Sequence, residues 1–243
     1  MALRILLNGS QGRMGQAIAA LASERNAEIT GSVDLGDDPA PFVANCDVVI
    51  DFSLRDATRG IAELAAERGK PIIIGTTGHS PTEKESIAAL ATRIPMVWAG
   101  NYSTGVNLLF HLARIATEVL GEDFDAEVVE AHHRHKQDAP SGTAERLLEV
   151  LREARGLKPE DIAHGRSGIV GERPRNQIGS HALRGGDVVG DHLVWFAGEG
   201  ERIELTHRAT DRRIFAAGAL RAAHWVVTQS PGIYSMQDVL GLQ

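Results

Sequence analysis

Short unbroken apolar runs alternate with stretches of helical spacing over the first hundred residues. Residues 4–7, 28–33, 48–52, 71–75 and 96–99 read as strands, and Met14, Ile18 and Leu21 mark a helix after the first of them. Ser53-Leu54-Arg55-Asp56 has the form of a capping box with Asp in place of Glu; its helix runs to about Arg68 and stops at Gly69 and Pro71. Ser80-Pro81-Thr82-Glu83 opens the next helix with a cap, a proline at the first helical position and a capping glutamate. Fully apolar strands separated by amphipathic helices predict a parallel sheet covered on both faces, with right-handed crossovers. The fold class expected here is α/β and Rossmann-like.

The pattern changes after residue 103. Val106, Leu109, Phe110, Ala113 and Leu120 predict a long helix, residues 127–131 a strand, and 142–155 another helix. Residues 187–196 and 202–209 alternate around Gly198-Glu199-Gly200, as in an antiparallel hairpin. Residues 214–227 return to helical spacing and suit packing back on the first domain. Two domains follow: residues 1–103 with 213–243, and an α+β domain with a mixed or antiparallel sheet at 104–212.

Glycine chemistry gives the first domain a candidate ligand. The first strand ends in Gly9-Ser10-Gln11-Gly12-Arg13-Met14-Gly15. Such a turn brings main-chain N–H groups and a helix N-terminus to a pyrophosphate. Its G-x-x-G-x-x-G spacing departs from the standard G-x-G-x-x-G. However, Asp34 follows Gly15 by 19 positions at the end of the second strand, where a carboxylate accepts ribose hydroxyls. Dinucleotide binding is expected. Asp37 and Asp38 add negative charge and no arginine adjoins Asp34, so NADH is expected to be preferred, with NADPH possible through Arg13. Gly75-Thr76-Thr77-Gly78 and Ala99-Gly100-Asn101-Tyr102 close two further strands at their carboxyl ends and are candidates to flank the nicotinamide.

Composition narrows the partners. The 243-residue chain is 43% hydrophobic, enough for cores in two domains, and carries a net charge of -7. That acidity disfavours nucleic acid and obliges an anionic ligand to find a local basic pocket. The single cysteine, Cys46, borders an apolar run and reads as a small core residue. No signal-peptide pattern and no long uncharged apolar window appears, so neither a membrane nor a secretory location is expected, and the cytoplasm is.

The basic pocket has a candidate. His132-His133-Arg134-His135-Lys136 is followed by Asp138-Ala139-Pro140-Ser141-Gly142-Thr143. Cationic side chains next to a helix N-terminus at Ser141, Gly142 and Thr143 suit a substrate with carboxylates. A zinc site is not expected, because the three histidines do not share one side of a strand and no fourth ligand stands at a typical spacing. Asp138 reads as fixing the loop. Another nicotinamide-dependent Rossmann reductase acting on an amino or oxo acid, and a non-catalytic NADH sensor, remain alternatives on these features alone.

Residues 130–136 with 138–143 resemble the signature of the 4-hydroxy-tetrahydrodipicolinate reductases, formerly dihydrodipicolinate reductases. Gly9–Gly15, Gly75–Gly78, Asn101-Tyr102-Ser103, 168–173, 185–187, 204–207 and 238–240 resemble the same family. The resemblance implies reduction of 4-hydroxy-tetrahydrodipicolinate in the diaminopimelate route to lysine, and a homotetramer. It implies His132 as proton donor or relay, Lys136 as second proton donor, and His133, Ser141, Gly142, Thr143 and Thr77 at the substrate. Gly9, Ser10, Gln11, Gly12, Arg13, Met14, Asp34, Gly75, Thr76, Thr77, Ala99, Gly100, Asn101 and Tyr102 would line the cofactor, with hinge closure near Thr104 and Arg212. Two departures stand out: the segment between Asp34 and Val48 is short for the family, and Tyr102 stands where the family often has Phe.

Overall fold

The computed structural model describes residues 1–242; the last position of the expected 213–243 segment lies outside the described residues. Contacts divide the chain into two units, 1–104 with Arg212 onward, and 105–211.

The first unit follows from the apolar runs. Its strands and helices are β1 (Leu3–Asn8), α1 (Arg13–Leu21), β2 (Ala27–Val33), α2 (Ala40–Val43), β3 (Val48–Asp51), α3 (Arg55–Glu67), β4 (Ile72–Ile74), α4 (Pro81–Ala88) and β5 (Pro95–Trp98). The chain then passes through α5 (Thr104–Leu120), β6 (Asp125–His132), α6 (Gly142–Arg155), β7 (Ile162–His164), β8 (Ile178–Arg184), β9 (Gly190–Ala197) and β10 (Arg202–Ala209). It returns to the first unit with α7 (Arg213–Val226), β11 (Gly232–Tyr234) and α8 (Met236–Leu240).

The first sheet has the order β11-β5-β4-β3-β1-β2, with every pair parallel. Alternate residues of its strands enter two cores. Leu7, Ile50, Ile73 and Val97 meet α1 and α7 through Ile18, Ala219 and Leu220 on one face. Leu6, Val49, Ile72 and Ile74 meet α3 through Ile61 and Ala65 on the other. Cys46 is fully buried in the second core, as expected of a small apolar residue. The short crossover between Asp34 and Val48 holds only the four-residue α2.

The capping box at Ser80 is present, with Glu83 reaching back to the Ser80 N–H at 2.7 Å. The one expected at Ser53 is not. Leu54 is the cap residue, and its apolar side chain makes no cap bond; Ser53 Oγ instead donates to Asp51 at 2.5 Å and accepts Asn8 Nδ2 at 3.1 Å. Ser53 thus belongs to the polar cluster around the buried Asp51 rather than to the helix end.

The second unit has a mixed sheet, β10-β9-β6-β8-β7. β9 and β10 form the expected hairpin, with Ala197 opposite Arg202. β7, β8, β11 and α8 were not evident in the sequence. α5 and α6 cover one face of this sheet, packing Ala113, Leu147 and Leu151 on Val128, Val194 and Phe196. The opposite face carries Val129, Leu193 and Trp195, all half-buried. There the β7–β8 connection is held down by Glu127, which accepts Arg166 at 2.9 and 3.0 Å and Arg173 at 2.9 Å. Burial pushes the Glu127 carboxyl up, but Arg166, His181 and Arg173 outweigh it and hold it at about 2.

Candidate functional site

Two groups of candidate residues form, one in each unit. In the first, β1 runs into Gly9, whose φ of 83° is a left-handed conformation that favours glycine. A Cβ on Gly9 would strike the Phe52 carbonyl, and one on Gly15 would strike the Gly9 carbonyl, so the turn folds tightly on itself. Gly12 then begins α1 in extended backbone with no side-chain cap, while Gln11, Gly12 and Arg13 are exposed. The helix N-terminus is thereby presented to an anion. Asp34 stands beside it: its Oδ2 accepts the Gln11 N–H at 2.6 Å and Ser10 Oγ at 3.4 Å. A carboxylate for ribose adjoining main-chain donors for a pyrophosphate fits a dinucleotide. Asp37 and Asp38, both exposed, keep the surroundings of Asp34 acidic.

The other two glycine loops, which follow the paired strands β4 and β5, meet each other. Ala99 N–H donates to the Ile74 carbonyl at 3.2 Å, and a Cβ on Gly100 would sit 3.8 Å from the Thr77 methyl. Thr77 is exposed, whereas Thr76 is buried and donates to Asp51 at 2.9 Å. Tyr102 does not face the surface. Its ring packs edge-on to Phe52 and its hydroxyl donates to the Ile74 and Val97 carbonyls at 2.8 and 3.1 Å. Burial drives its phenol well above the ordinary value. The side chain is part of the core, which narrows the expected cofactor role of this loop to Ala99, Gly100 and Asn101.

Sequence reasoning missed Asp51, which ties together the ends of β1 and β4. It is fully buried and accepts Asn8 Nδ2 at 2.7 Å, Ser53 Oγ, Thr58 Oγ1 at 2.8 Å and Thr76 Oγ1. The signal was a carboxylate ending the otherwise apolar run Val48-Val49-Ile50.

In the second unit, the basic segment is the end of β6 and the turn after it. The turn is docked on the β8–β9 connection: His133 N–H donates to the Val188 carbonyl at 2.7 Å and Gly185 N–H to the His132 carbonyl at 3.0 Å. His132 is buried, and its Nδ1 lies 2.5 Å from Glu130 Oε2. Burial lowers the His132 pKa and outweighs Glu130, which raises it. Lys136 Nζ donates to both oxygens of Asp138, at 2.9 and 2.8 Å. Ser141 caps α6 as expected, accepting the Ala144 N–H at 3.2 Å, with Gly142 exposed at the first turn. The rings of His133 and His135 lie 6.2 Å apart.

Three partners here were not assigned a role from sequence: Glu130, Arg184 and His192. His192 stands opposite Glu130 across β9 and β6, and its Nε2 lies 3.2 Å from Ser141 Oγ. Burial pushes the His192 imidazole down to about 4, so it is neutral at physiological pH. Thr77, expected at both ligands, lies with the nucleotide group of the first unit. Among the described residues no cluster of three or more His, Cys, Asp or Glu is arranged to hold a metal ion, and no helix is long and apolar enough to cross a membrane.

Family models match both parts of the chain. Residues 3–102 match the family model described as dihydrodipicolinate reductase, N-terminus, and residues 105–240 that described as dihydrodipicolinate reductase, C-terminus. The chain belongs to the dihydrodipicolinate reductase family. A 4-hydroxy-tetrahydrodipicolinate reductase of Akkermansia muciniphila is 51% identical over 242 residues, covering 99% of this chain and 98% of the relative. One from Anaeromyxobacter sp. is 48% identical, with the same coverage. A dipicolinate-bound dihydrodipicolinate reductase from Paenisporosarcina sp. has the same fold, with a TM-score of 0.80 at 21% identity over 98% of this chain and 99% of that one. The glycine turn of this reductase-family chain thus belongs to the N-terminal match and the His-Lys segment to the C-terminal one, and the family's pyridine-nucleotide dependence comes with the former.

Proposed function

We propose that the chain reduces 4-hydroxy-tetrahydrodipicolinate, through its dehydrated imine, to tetrahydrodipicolinate in the diaminopimelate route to lysine. The observation that carries this reading is the cationic turn His132–Lys136 set against the capped N-terminus of α6, in a chain whose length is matched by reductases of that name. Residues 1–103 and 213–243 hold the nucleotide, and residues 104–212 hold the substrate and make the subunit contacts.

Water leaves C4 of the substrate to give a conjugated imine. A reduced nicotinamide held by the first unit would supply the hydride for C4, and NADH is preferred over NADPH because a 2′-phosphate beside Asp34 would meet Asp37 and Asp38 as well. Gly9, Ser10, Gln11, Gly12, Arg13 and Met14 hold the pyrophosphate, and Gly75, Thr76, Thr77, Ala99, Gly100 and Asn101 flank the ring. The substrate's two carboxylates take His133, Ser141, Gly142, Thr143 and Thr77. Lys136 now shares its ammonium with Asp138, whose side chain is 61% exposed. The lysine side chain is only 19% exposed, so a substrate carboxylate that displaces the more exposed Asp138 keeps the ammonium paired. His132 and Lys136 then supply the proton that completes reduction.

The protein acts in the cytoplasm as a homotetramer, its subunits meeting through the sheet face that carries Val129, Leu193 and Trp195. The deciding experiment follows NADH oxidation with freshly generated product of pyruvate–aspartate semialdehyde condensation, with pyridine-2,6-dicarboxylate as competitor. No oxidation under these conditions overturns the reaction, and a tenfold kcat/KM advantage for NADPH overturns the cofactor preference. Sedimentation reads the subunit number directly.

A further inference from the structure

Glu130 lies two residues before His132 on β6, so both side chains leave the same face of the sheet. Glu130 is 1% exposed, and its two oxygens receive four contacts. Oε2 takes His132 Nδ1 at 2.5 Å and Arg184 Nη1 at 2.9 Å; Oε1 takes Arg184 Nη2 at 2.7 Å and the Ser141 N–H at 3.2 Å. A carboxylate engaged by the fork of an arginine is an acceptor only. His132 therefore keeps a hydrogen on Nδ1, and Nε2 is the nitrogen left to work. Gly190 leaves room there, since a Cβ at that position would come within 3.0 Å of Nε2.

We propose that Glu130 is a positioning residue for proton delivery. It fixes the tautomer and direction of His132 and, through the Ser141 N–H, sets the start of α6 in the same frame. The inference rests on the reading of His132 as a proton donor. The charges facing His132 are Glu130 on its own strand, Arg184 on β8 and Lys136 in the turn, with Asp138 engaging Lys136 and the neutral ring of His192 packed edge-on at 5.2 Å from β9. Of these, only Glu130 favours the imidazolium by direct contact.

The test is Glu130→Gln, which keeps the shape and can still accept from Nδ1 but gives up the charge. We expect kcat to fall roughly ten- to hundredfold with NADH affinity unchanged. The alkaline limb of the rate profile moves to lower pH, because the imidazolium loses its stabilising partner. Nitrogen-15 NMR of the unsubstituted protein, without substrate, is expected to show neutral His132 protonated on Nδ1. A fall in kcat with an unmoved limb assigns Glu130 a merely structural role and overturns the proposal, as does a wild-type rate. A neutral His132 protonated on Nε2 overturns it even if the variant does not fold. If the unsubstituted protein fails to oxidise NADH with the condensation product, the reaction falls while the tautomer result stands by itself.

Discussion

In the parallel-sheet unit, the polar surface at the strand ends is mostly main chain: a glycine turn, an uncapped helix start and two loops, one of them braced from below by Asp51 through Thr76. In the mixed-sheet unit, the corresponding surface is side chain: a buried carboxylate, two imidazoles, an arginine fork and a lysine. Main-chain donors do not titrate, and they tolerate little added bulk. Buried ionisable side chains tolerate conservative changes of shape but respond to pH and to lost charge. The two regions therefore answer to different perturbations.

The largest expected effect tests the side-chain region. His132→Ala and Lys136→Ala are each expected to lower kcat about 10²–10⁴-fold while NADH affinity, measured by fluorescence titration, stays within a factor of about two. Unaltered turnover in both variants removes their roles.

Next is pH. The unfolded His192 imidazole takes a proton near its ordinary value of 6.5, whereas the folded one does so only at about 4. The unfolded chain therefore binds the proton first. Stability from this group is complete above pH 6.5 and is lost as pH falls toward 4, by about 3 kcal/mol. Urea unfolding between pH 7 and 4.5 should show this loss, and His192→Asn should flatten it. An equal slope in the variant would place the acid sensitivity elsewhere.

Two substitutions probe the main-chain region. Gly15→Ala places a methyl against the Gly9 carbonyl, an overpacking that costs about 1–3 kcal/mol and should weaken NADH about tenfold with dipicolinate binding untouched. Loss of dipicolinate affinity instead would break the separation of the two regions. Asp51→Asn leaves donors around a single oxygen and should cost about 1–3 kcal/mol in thermal unfolding. The smallest effect belongs to Tyr102→Phe. It removes one hydroxyl from two carbonyls already in strands and should cost about 1 kcal/mol without changing KM for NADH.

The centre of the parallel sheet was legible because β3, β4 and β5 are short apolar runs that pair with one another. β7 and β11 were not: each is three residues long and half-exposed, and is a strand only because a neighbour supplies its hydrogen bonds. Ser53 was misread because its alternative partner, Asp51, is visible only once β3 is buried. The His-Lys segment announced itself by composition. Its supports did not, since Arg184 and His192 lie far along the chain on strands whose register with β6 is a tertiary fact. His192 did leave a trace: it shares the parity of Val194 and Phe196, and a histidine on the apolar side of a strand needs a partner.

β6 carries a carboxylate on each of its two sides. Glu127 and Glu130 are an odd number of residues apart, so one anchors the β7–β8 connection and the other holds His132. Sliding this strand by a single step would exchange the two sides, stripping both carboxylates of their arginines at once. Alignment of the central strand is thus secured by ionic keys as well as by greasy ones, and a misthreaded chain forfeits its outer brace and its chemistry together.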